Sequence, residues 1–176
     1  IDLMPTFLDM HNHSIPSEVK GKSLLTYLDK DAENKFTALY GYWGGGINIT
    51  DGKYSYFHYP ENFSQQNPDR YQYTLMPTHM RQFFSNEELQ TATLHKPFDF
   101  TKDIPLLKIN RIERKTDGGY KGFEDTKSAL YNLQNDPGQL TPLADEKKSN
   151  EYQQMMIDII NEYDPPKELI KNYFEN

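Results

Sequence analysis

Apolar side chains near the end of the chain recur at the spacing of one face of an α-helix. This spacing predicts a long amphipathic helix that starts near a capping pair, Asn150 and Gln153, and ends before Pro165-Pro166. A shorter helix is expected to follow, up to about Phe174. The apolar face consists of Tyr152, Met155, Met156, Ile159, Ile160 and Tyr163.

Two shorter helical patterns lie within the first 35 residues. Pro5 suits an early helical position, because its missing N–H would have no partner there. Ser23 is a suitable N-cap for a second short amphipathic helix, and a polar loop over residues 11–20 separates the two helices. The apolar positions are Leu3, Met4, Phe7 and Leu8 in the first helix and Leu24, Leu25 and Leu28 in the second.

The middle of the chain alternates between apolar and polar residues around Asp51-Gly52, a pair that favours a type I′ hairpin turn. A two-residue loop would pair Thr50 with Lys53 and Ile49 with Tyr54. Such a hairpin has one apolar face and one polar face, which fixes its register. The apolar face would be Ile47, Ile49, Tyr54 and Tyr56, and the polar face Asn48, Thr50, Lys53 and Ser55.

Further strands are predicted at residues 37–43, 71–75, 106–113 and 129–133. A short helix capped by Ser85 is expected at residues 86–94, and a long exposed turn at 115–127. The strands follow one another in hairpin order rather than alternating with helices. The sequence therefore predicts the α+β class, with an antiparallel sheet packed against the long C-terminal helix.

Composition narrows the classes of protein. The chain has 176 residues, 19 Lys plus Arg and 26 Asp plus Glu, which gives a net charge of −7. An acidic chain argues against a nucleic-acid partner bound by phosphate neutralisation, and no apolar run is long enough to suggest a membrane partner. Cys is 0, which excludes disulfides, cysteine zinc sites and cysteine nucleophiles within these residues. A sequence without cysteine is compatible with either a bacterial cytoplasm or a periplasm, so the localisation is not predicted.

Three residues are candidates for substrate binding. His79 and Arg81 share a polar loop after a predicted strand, where they could hold an anion through charge-assisted hydrogen bonds. Trp43, the single Trp, lies beside Gly44-Gly45-Gly46 and is either a core residue or a platform for a sugar or other ring.

Other groups with chemical potential have simpler interpretations. Asp9-x-His11-x-His13 contains metal-ligand side chains, but no second cluster is available to complete a shell. No metal site is therefore predicted in this chain. Glu87-Glu88 is interpreted as part of a solvated helix face.

Several segments, in order, resemble the C-terminal region of sulfatases, which belong to the alkaline phosphatase superfamily. The first is Asp2-Leu3-Met4-Pro5-Thr6-Phe7-Leu8-Asp9, followed by Gly21-Lys22-Ser23-Leu24-Leu25. The second runs from Tyr40 to Tyr56 through Trp43-Gly44-Gly45-Gly46 and Asp51-Gly52. The third is Leu130-Tyr131-Asn132-Leu133-Gln134-Asn135-Asp136-Pro137-Gly138, in which Asn132 replaces the usual Asp, and Pro142 later replaces the usual Asn. The fourth is Tyr163-Asp164-Pro165-Pro166.

The resemblance implies a division of labour between this chain and a missing domain. Residues 1–35 would be the helical segment that closes an N-terminal α/β catalytic domain, and residues 36–176 a C-terminal α+β subdomain. The formylglycine nucleophile and the calcium ligands of sulfatases would lie in that catalytic domain. Ser14-Ile15-Pro16-Ser17-Glu18 mimics the nucleophile motif but has Glu18 where Arg is required.

The implied function is that of a sulfatase part that packs on its own catalytic domain. It would help to form the pocket for a small sulfate ester through Trp43, His79 and Arg81, and alone it would be inactive. One alternative is a part of a phosphodiesterase or phosphonate monoester hydrolase of the same superfamily. Another is a free-standing carbohydrate-binding or interaction module. A severed subdomain should expose an apolar former interface, whereas a module should expose an aromatic face.

Overall fold

The computed structural model describes residues 1–28, 37–41, 46–59, 71–76, 78–110 and 127–175. The chain divides into two compact units, Ile1–Phe36 and Thr37–Asn176. The described part of the first unit contains α1 (Leu3–Met10) and a 3₁₀ helix (Leu24–Leu28). The second unit combines antiparallel strands with helices, so the α+β class is confirmed. In chain order its elements are β1 (Ala38–Gly41), β2 (Ile47–Thr50), β3 (Tyr54–His58), β4 (Tyr71–Thr74), α2 (Asn86–Gln90), β5 (Thr93–His95), a 3₁₀ helix (Asp99–Thr101), β6 (Leu106–Asn110), β7 (Ala129–Asn132), α3 (Glu146–Asn161) and α4 (Lys167–Phe174).

The two helices of the first unit are tied together by side chains of α1 and its N-cap. The backbone N–H of Lys22 donates to Asp2 Oδ1 at 2.8 Å, and that of Leu24 donates to Thr6 Oγ1 at 2.9 Å. At Gly21 a Cβ atom would lie 2.2 Å from the carbonyl oxygen of Ile1, so only glycine fits. Glycine at position 21 therefore lets the chain pass close to the start of α1.

The strands form two sheets rather than the single sheet that the sequence predicted. The first sheet has the strand order β1-β2-β3-β7, and the second the order β4-β6-β5. Every strand pair in both sheets is antiparallel. Parts of three predicted elements lie outside the described residues. They are residues 42–43 of the predicted strand at 37–43, residues 111–113 of the predicted strand at 106–113, and residues 115–126 of the predicted turn at 115–127.

The β2–β3 hairpin has a four-residue loop, so the predicted register is wrong by two residues. Thr50 pairs with Ser55 and Ile49 with Tyr56. The cause is the side chain of Asp51, whose Oδ1 accepts hydrogen bonds from the N–H groups of Lys53 at 2.9 Å and Tyr54 at 2.8 Å. This Asx-type turn competes with the two-residue turn. A shift of two residues keeps each side chain on its predicted face, because side chains alternate with period two.

The region after Ser85 contains a shorter helix than predicted. Helix α2 ends at Gln90, and Leu94, which was expected in the helix, lies in strand β5. Thr91 ends the helix because its hydroxyl donates back to the carbonyl oxygen of Glu88 at 2.7 Å. The same hydroxyl oxygen accepts a hydrogen bond from Asn110 N–H of β6, which brings the chain alongside the second sheet.

Helix α3 covers the first sheet and supplies much of the core. It begins five residues earlier than predicted, because Asp145 rather than Asn150 is the N-cap and accepts a hydrogen bond from Lys148 N–H. Met156 is fully buried, and truncating such a side chain to Ala typically costs about 2–5 kcal/mol. The buried cluster consists of Ile49, Tyr56, Leu130, Tyr152 and Met156.

Helix α4 bonds to both sheets. Near its start, the Glu168 carboxylate accepts a hydrogen bond from Tyr73 Oη of the second sheet. Near its end, the carbonyl oxygen of Tyr173 accepts a 2.5 Å hydrogen bond from Nε2 of His58 in the first sheet, and the Phe174 ring stacks on the His58 ring. The helix therefore connects the sheets through its two ends.

Candidate functional site

The loop between β4 and α2 contains two of the three predicted substrate residues. Thr78 and Phe83 form an isolated antiparallel bridge, so residues 79–82 make the tip of a short hairpin-like loop. His79 and Arg81 therefore both lie in this four-residue tip. Trp43, the third predicted residue, lies outside the described residues.

His79 faces inward from this loop. Its Nε2 atom lies 2.8 Å from Oε1 of Glu88 in α2, and its ring meets the ring of Phe84 edge-on at a centroid distance of 4.3 Å. Phe84 and Glu88 are buried, at 6% and 3% exposure. The imidazole thus holds the loop against α2. This role was not predicted.

Glu88 is the residue that sequence reasoning missed. It was interpreted as part of a solvated face, but its carboxylate accepts hydrogen bonds from Ser85 N–H at 2.7 Å and from the His79 ring. Together with the Glu88 N–H bond to Ser85 Oγ, this makes a complete capping box at the start of α2. The signal was present in the sequence as Ser85-x-x-Glu88.

The electrostatics of this pair follow from its geometry. Burial raises the pKa of Glu88, but the hydrogen bonds from Ser85 and His79 outweigh it and hold this pKa below its ordinary value of 4.5. Glu88 is therefore ionised at neutral pH. A buried carboxylate with several donors fixes the position of whatever donates to it.

The tip of the loop exposes one cation between apolar side chains. Met80 is 91% exposed and Phe83 is 83% exposed, and Arg81 between them is also exposed. A guanidinium at such a point can bind a sulfate or phosphate group in a bidentate manner. Of the two predicted residues in this loop, Arg81 is the one whose side chain is available to a ligand.

A second group of functional side chains lies where α4 meets the second sheet. Lys108 on β6 lies 3.2 Å from Oε1 of Glu168, and its Nζ is 3.7 Å from the centroid of the Tyr71 ring and 5.4 Å from that of Tyr73. Burial and the neighbouring carboxylate raise the pKa of the Tyr73 hydroxyl. Burial raises the pKa of Glu168, but hydrogen bonds from Tyr73 and Lys108 outweigh burial and hold this pKa below its ordinary value, so the carboxylate is ionised at neutral pH.

A cavity of about 620 Å³ opens beside this network. It lies between β4, β6, the end of α3 and the start of α4. No sequence pattern predicted this cavity, because the residues that line it come from separate segments between Tyr71 and Glu175. The side chains that line it are Tyr71, Lys108, Asn161, Pro165, Lys167, Glu168, Ile170, Lys171 and Glu175.

The turn after β7 is closed by two side chains, Asn132 and Asp136. Oδ1 of Asn132 accepts hydrogen bonds from the N–H groups of Gln134 at 3.0 Å and Asn135 at 3.2 Å. An amide oxygen accepts these bonds as a carboxylate oxygen would, so Asp at this position could make the same two bonds. Asp136 then binds the N–H groups of Leu140 and Thr141 with its two carboxylate oxygens.

The described part of the chain contains no candidate metal-binding site. Among these residues, no group of three or more His, Cys, Asp or Glu side chains is placed to hold a metal ion. Nor does any described helix combine the length and the apolar character needed to cross a bilayer.

Comparison of the chain with protein-family models gave no match, and comparison with curated proteins gave none either.

Proposed function

We propose that this chain is the C-terminal part of a sulfatase-like hydrolase, which packs on an α/β catalytic domain and helps to form the pocket for a small sulfate ester. The observation that carries the proposal is an apolar stripe on α1. Leu3, Met4, Phe7 and Met10 are 47–64% exposed although the helix is held in a defined fold. Large exposed apolar surfaces of this kind mark interfaces.

The stripe follows the helix period. Leu3, Phe7 and Met10 are spaced by four and three residues, which places them on one face. Leaving four large apolar side chains in water forgoes roughly 1.5–3 kcal/mol for each one that a partner could bury. An apolar helix face at this position supports packing on a catalytic domain, whereas a carbohydrate-binding module would present aromatic rings.

Within this proposal, the loop tip supplies this chain's contribution to the pocket. The Arg81 guanidinium would bind the sulfate oxygens of the substrate, with His79 and Glu88 fixing the loop on which Arg81 lies. Trp43 would be a further wall of the pocket. The attack on sulfur would be carried out by groups of the catalytic domain, with calcium as the Lewis acid.

The test is to express this chain together with the coding sequence upstream of Ile1 and to assay an aryl sulfate. We expect calcium-dependent sulfate release by the longer protein and none by this chain alone. Turnover of the aryl sulfate by the chain alone would contradict the proposal, as would an upstream sequence without an α/β domain. Preference for a phosphate diester or a phosphonate monoester would favour the alternative within the superfamily.

A further inference from the structure

The cavity between α4 and the second sheet has the size and the charge of a binding site for a small anion. Its volume of about 620 Å³ lies within the range of roughly 300–1,000 Å³ that is typical of ligand sites. Strands β4 and β6 form one wall, and α4 with the end of α3 forms the other. Both walls belong to the second unit of the chain.

The charge of the lining has the opposite sign to the charge of the chain. Three lysines, Lys108, Lys167 and Lys171, and two glutamates, Glu168 and Glu175, line the cavity. The lining therefore carries a formal net charge of +1 in a chain whose net charge is −7. A local reversal of this kind attracts anions and raises their concentration in the cavity.

Two of the three lysines of the lining lie on α4. The Glu168 carboxylate is engaged by Lys108 Nζ at 3.2 Å and by the Tyr73 hydroxyl. Lys167 and Lys171 are four residues apart, so they lie on the same face of the helix. The Lys167 side chain is exposed and can reach a ligand in the cavity.

The rest of the lining suits a hydroxylated ring. Tyr71 offers an aromatic ring whose position is fixed by the Lys108 ammonium, 3.7 Å from the ring centroid. Asn161 adds an amide that can both donate and accept hydrogen bonds. We propose that this cavity binds a monosaccharide-sized ring compound that carries a tetrahedral oxyanion, either sulfate or phosphate.

The experiment uses the isotope-labelled chain alone, so its outcome does not depend on the proposed catalytic partner. Glucose 6-sulfate, glucose 6-phosphate and glucose are titrated separately while amide resonances are followed by NMR. We expect saturable shifts at Tyr71, Lys108 and Lys167 with both anionic sugars at ligand concentrations of about 10 mM or below. The tighter of the two identifies the oxyanion. An equal response to glucose, or no saturable shift, overturns the proposal.

A pair of matched variants tests the role of the lysines. Lys167→Met with Lys171→Met is expected to weaken binding at least tenfold, since hydrogen bonds to charged groups are lost. Lys127→Met with Lys147→Met removes the same charge from exposed positions away from the cavity lining and should leave binding unchanged. Equal weakening by both pairs would show a general charge effect and overturn the site. Unchanged resonances elsewhere in each variant report that the fold is intact.

Discussion

The Tyr152 hydroxyl on α3 donates a 2.7 Å hydrogen bond to Oδ2 of Asp51, 101 residues earlier in the β2–β3 loop. The same carboxylate shapes that loop through its other oxygen. Burial raises the pKa of Asp51, but hydrogen bonds from Tyr54, Tyr152 and Lys53 outweigh it, so this pKa lies below 3.8. One aspartate thus closes a turn and fastens a helix to it.

The Asp51–Tyr152 bond should be measurable as a coupling energy. We expect Asp51→Asn and Tyr152→Phe each to destabilise the fold, and the double variant to lose about 1 kcal/mol less than the sum, because the partly exposed pair shares one bond. Urea denaturation of the four proteins gives this value. Strict additivity would mean that the bond contributes nothing to stability.

Glu88 should matter far more than its sequence neighbour. Glu88→Ala removes the partner of Ser85 N–H and of the His79 ring, so we expect a loss of about 1–3 kcal/mol in the free energy of unfolding. Glu87→Ala is the matched control on the exposed face and should change stability by less than about 0.5 kcal/mol. Similar effects of the two changes would restore the view that both residues are solvated.

His58 should give the stability a dependence on mildly acidic pH. Burial lowers the pKa of His58 below 6.5, although the bond to the Tyr173 carbonyl raises it in part. The unfolded chain therefore binds more protons near and below pH 6.5, so this residue's contribution is complete above that pH and is lost as pH falls. The lowered pKa values of Asp51, Glu88 and Glu168 also contribute stability at neutral pH, but that contribution is lost at more acidic pH, as the pH falls through the ordinary carboxyl pKa values of 3.8 and 4.5 and below them.

The measurement is the urea midpoint at pH 7.5, 6.5 and 5.5 for the natural chain and for His58→Gln. The Gln amide can still donate to Tyr173, but it does not titrate. We expect the midpoint of the natural chain to fall over this interval and that of the variant to change much less. Parallel curves would assign the pH dependence to other groups.

Gly21 should be irreplaceable in the first unit. A Cβ atom there would lie only 2.2 Å from the carbonyl oxygen of Ile1, so Gly21→Ala must displace either the start of α1 or the segment around residue 21. We expect faster hydrogen exchange of the Lys22 and Leu24 amides, which α1 and its N-cap protect. Gly138→Ala is the control, since its Cβ would make an ordinary contact of 3.5 Å with Leu140. Unchanged exchange in Gly21→Ala would contradict the close approach.

Asn132 should tolerate the residue that the sulfatase pattern usually has. Asn132→Asp keeps an oxygen that accepts from Gln134 and Asn135, so we expect a change within about 0.5 kcal/mol. Asn132→Ala removes both bonds and should cost about 1–2 kcal/mol. Thermal unfolding of the three proteins distinguishes these cases, and a large loss in Asn132→Asp would show that the amide N–H₂ group is needed.

Features that depend on neighbouring residues could be predicted from the sequence, whereas features that depend on residues far apart in the chain could not. The apolar period of α3 and the alternation in β2 and β3 were readable because they repeat within one element. The register of the hairpin could not be predicted in this way, because hydrogen bonds to the Asp51 side chain stabilise a loop that is two residues longer than the one Asp-Gly favours. The network of Tyr73, Lys108 and Glu168 was invisible, since these residues come from three separate segments.

The candidate site likewise has one part that the sequence predicted and one part that depends on the tertiary fold. The His79–Arg81 loop was found because two polar functional groups lie close together in sequence. Which of them faces the solvent depended on Glu88, whose burial comes from the tertiary fold. The Ser85-x-x-Glu88 pattern is typical of a helix cap, but no sequence pattern indicated that the Glu88 carboxylate would also bind the His79 imidazole.

Helix α4 has a consequence for how the protein is made. It is the last of the described elements to leave the ribosome, yet its Glu168 end bonds to the second sheet and its Tyr173 end to the first. All seven described strands are synthesised before either bond can form. This link can therefore form only after all seven strands have been made, and a premature stop shortly before Lys167 would release a chain whose sheets are never connected by it.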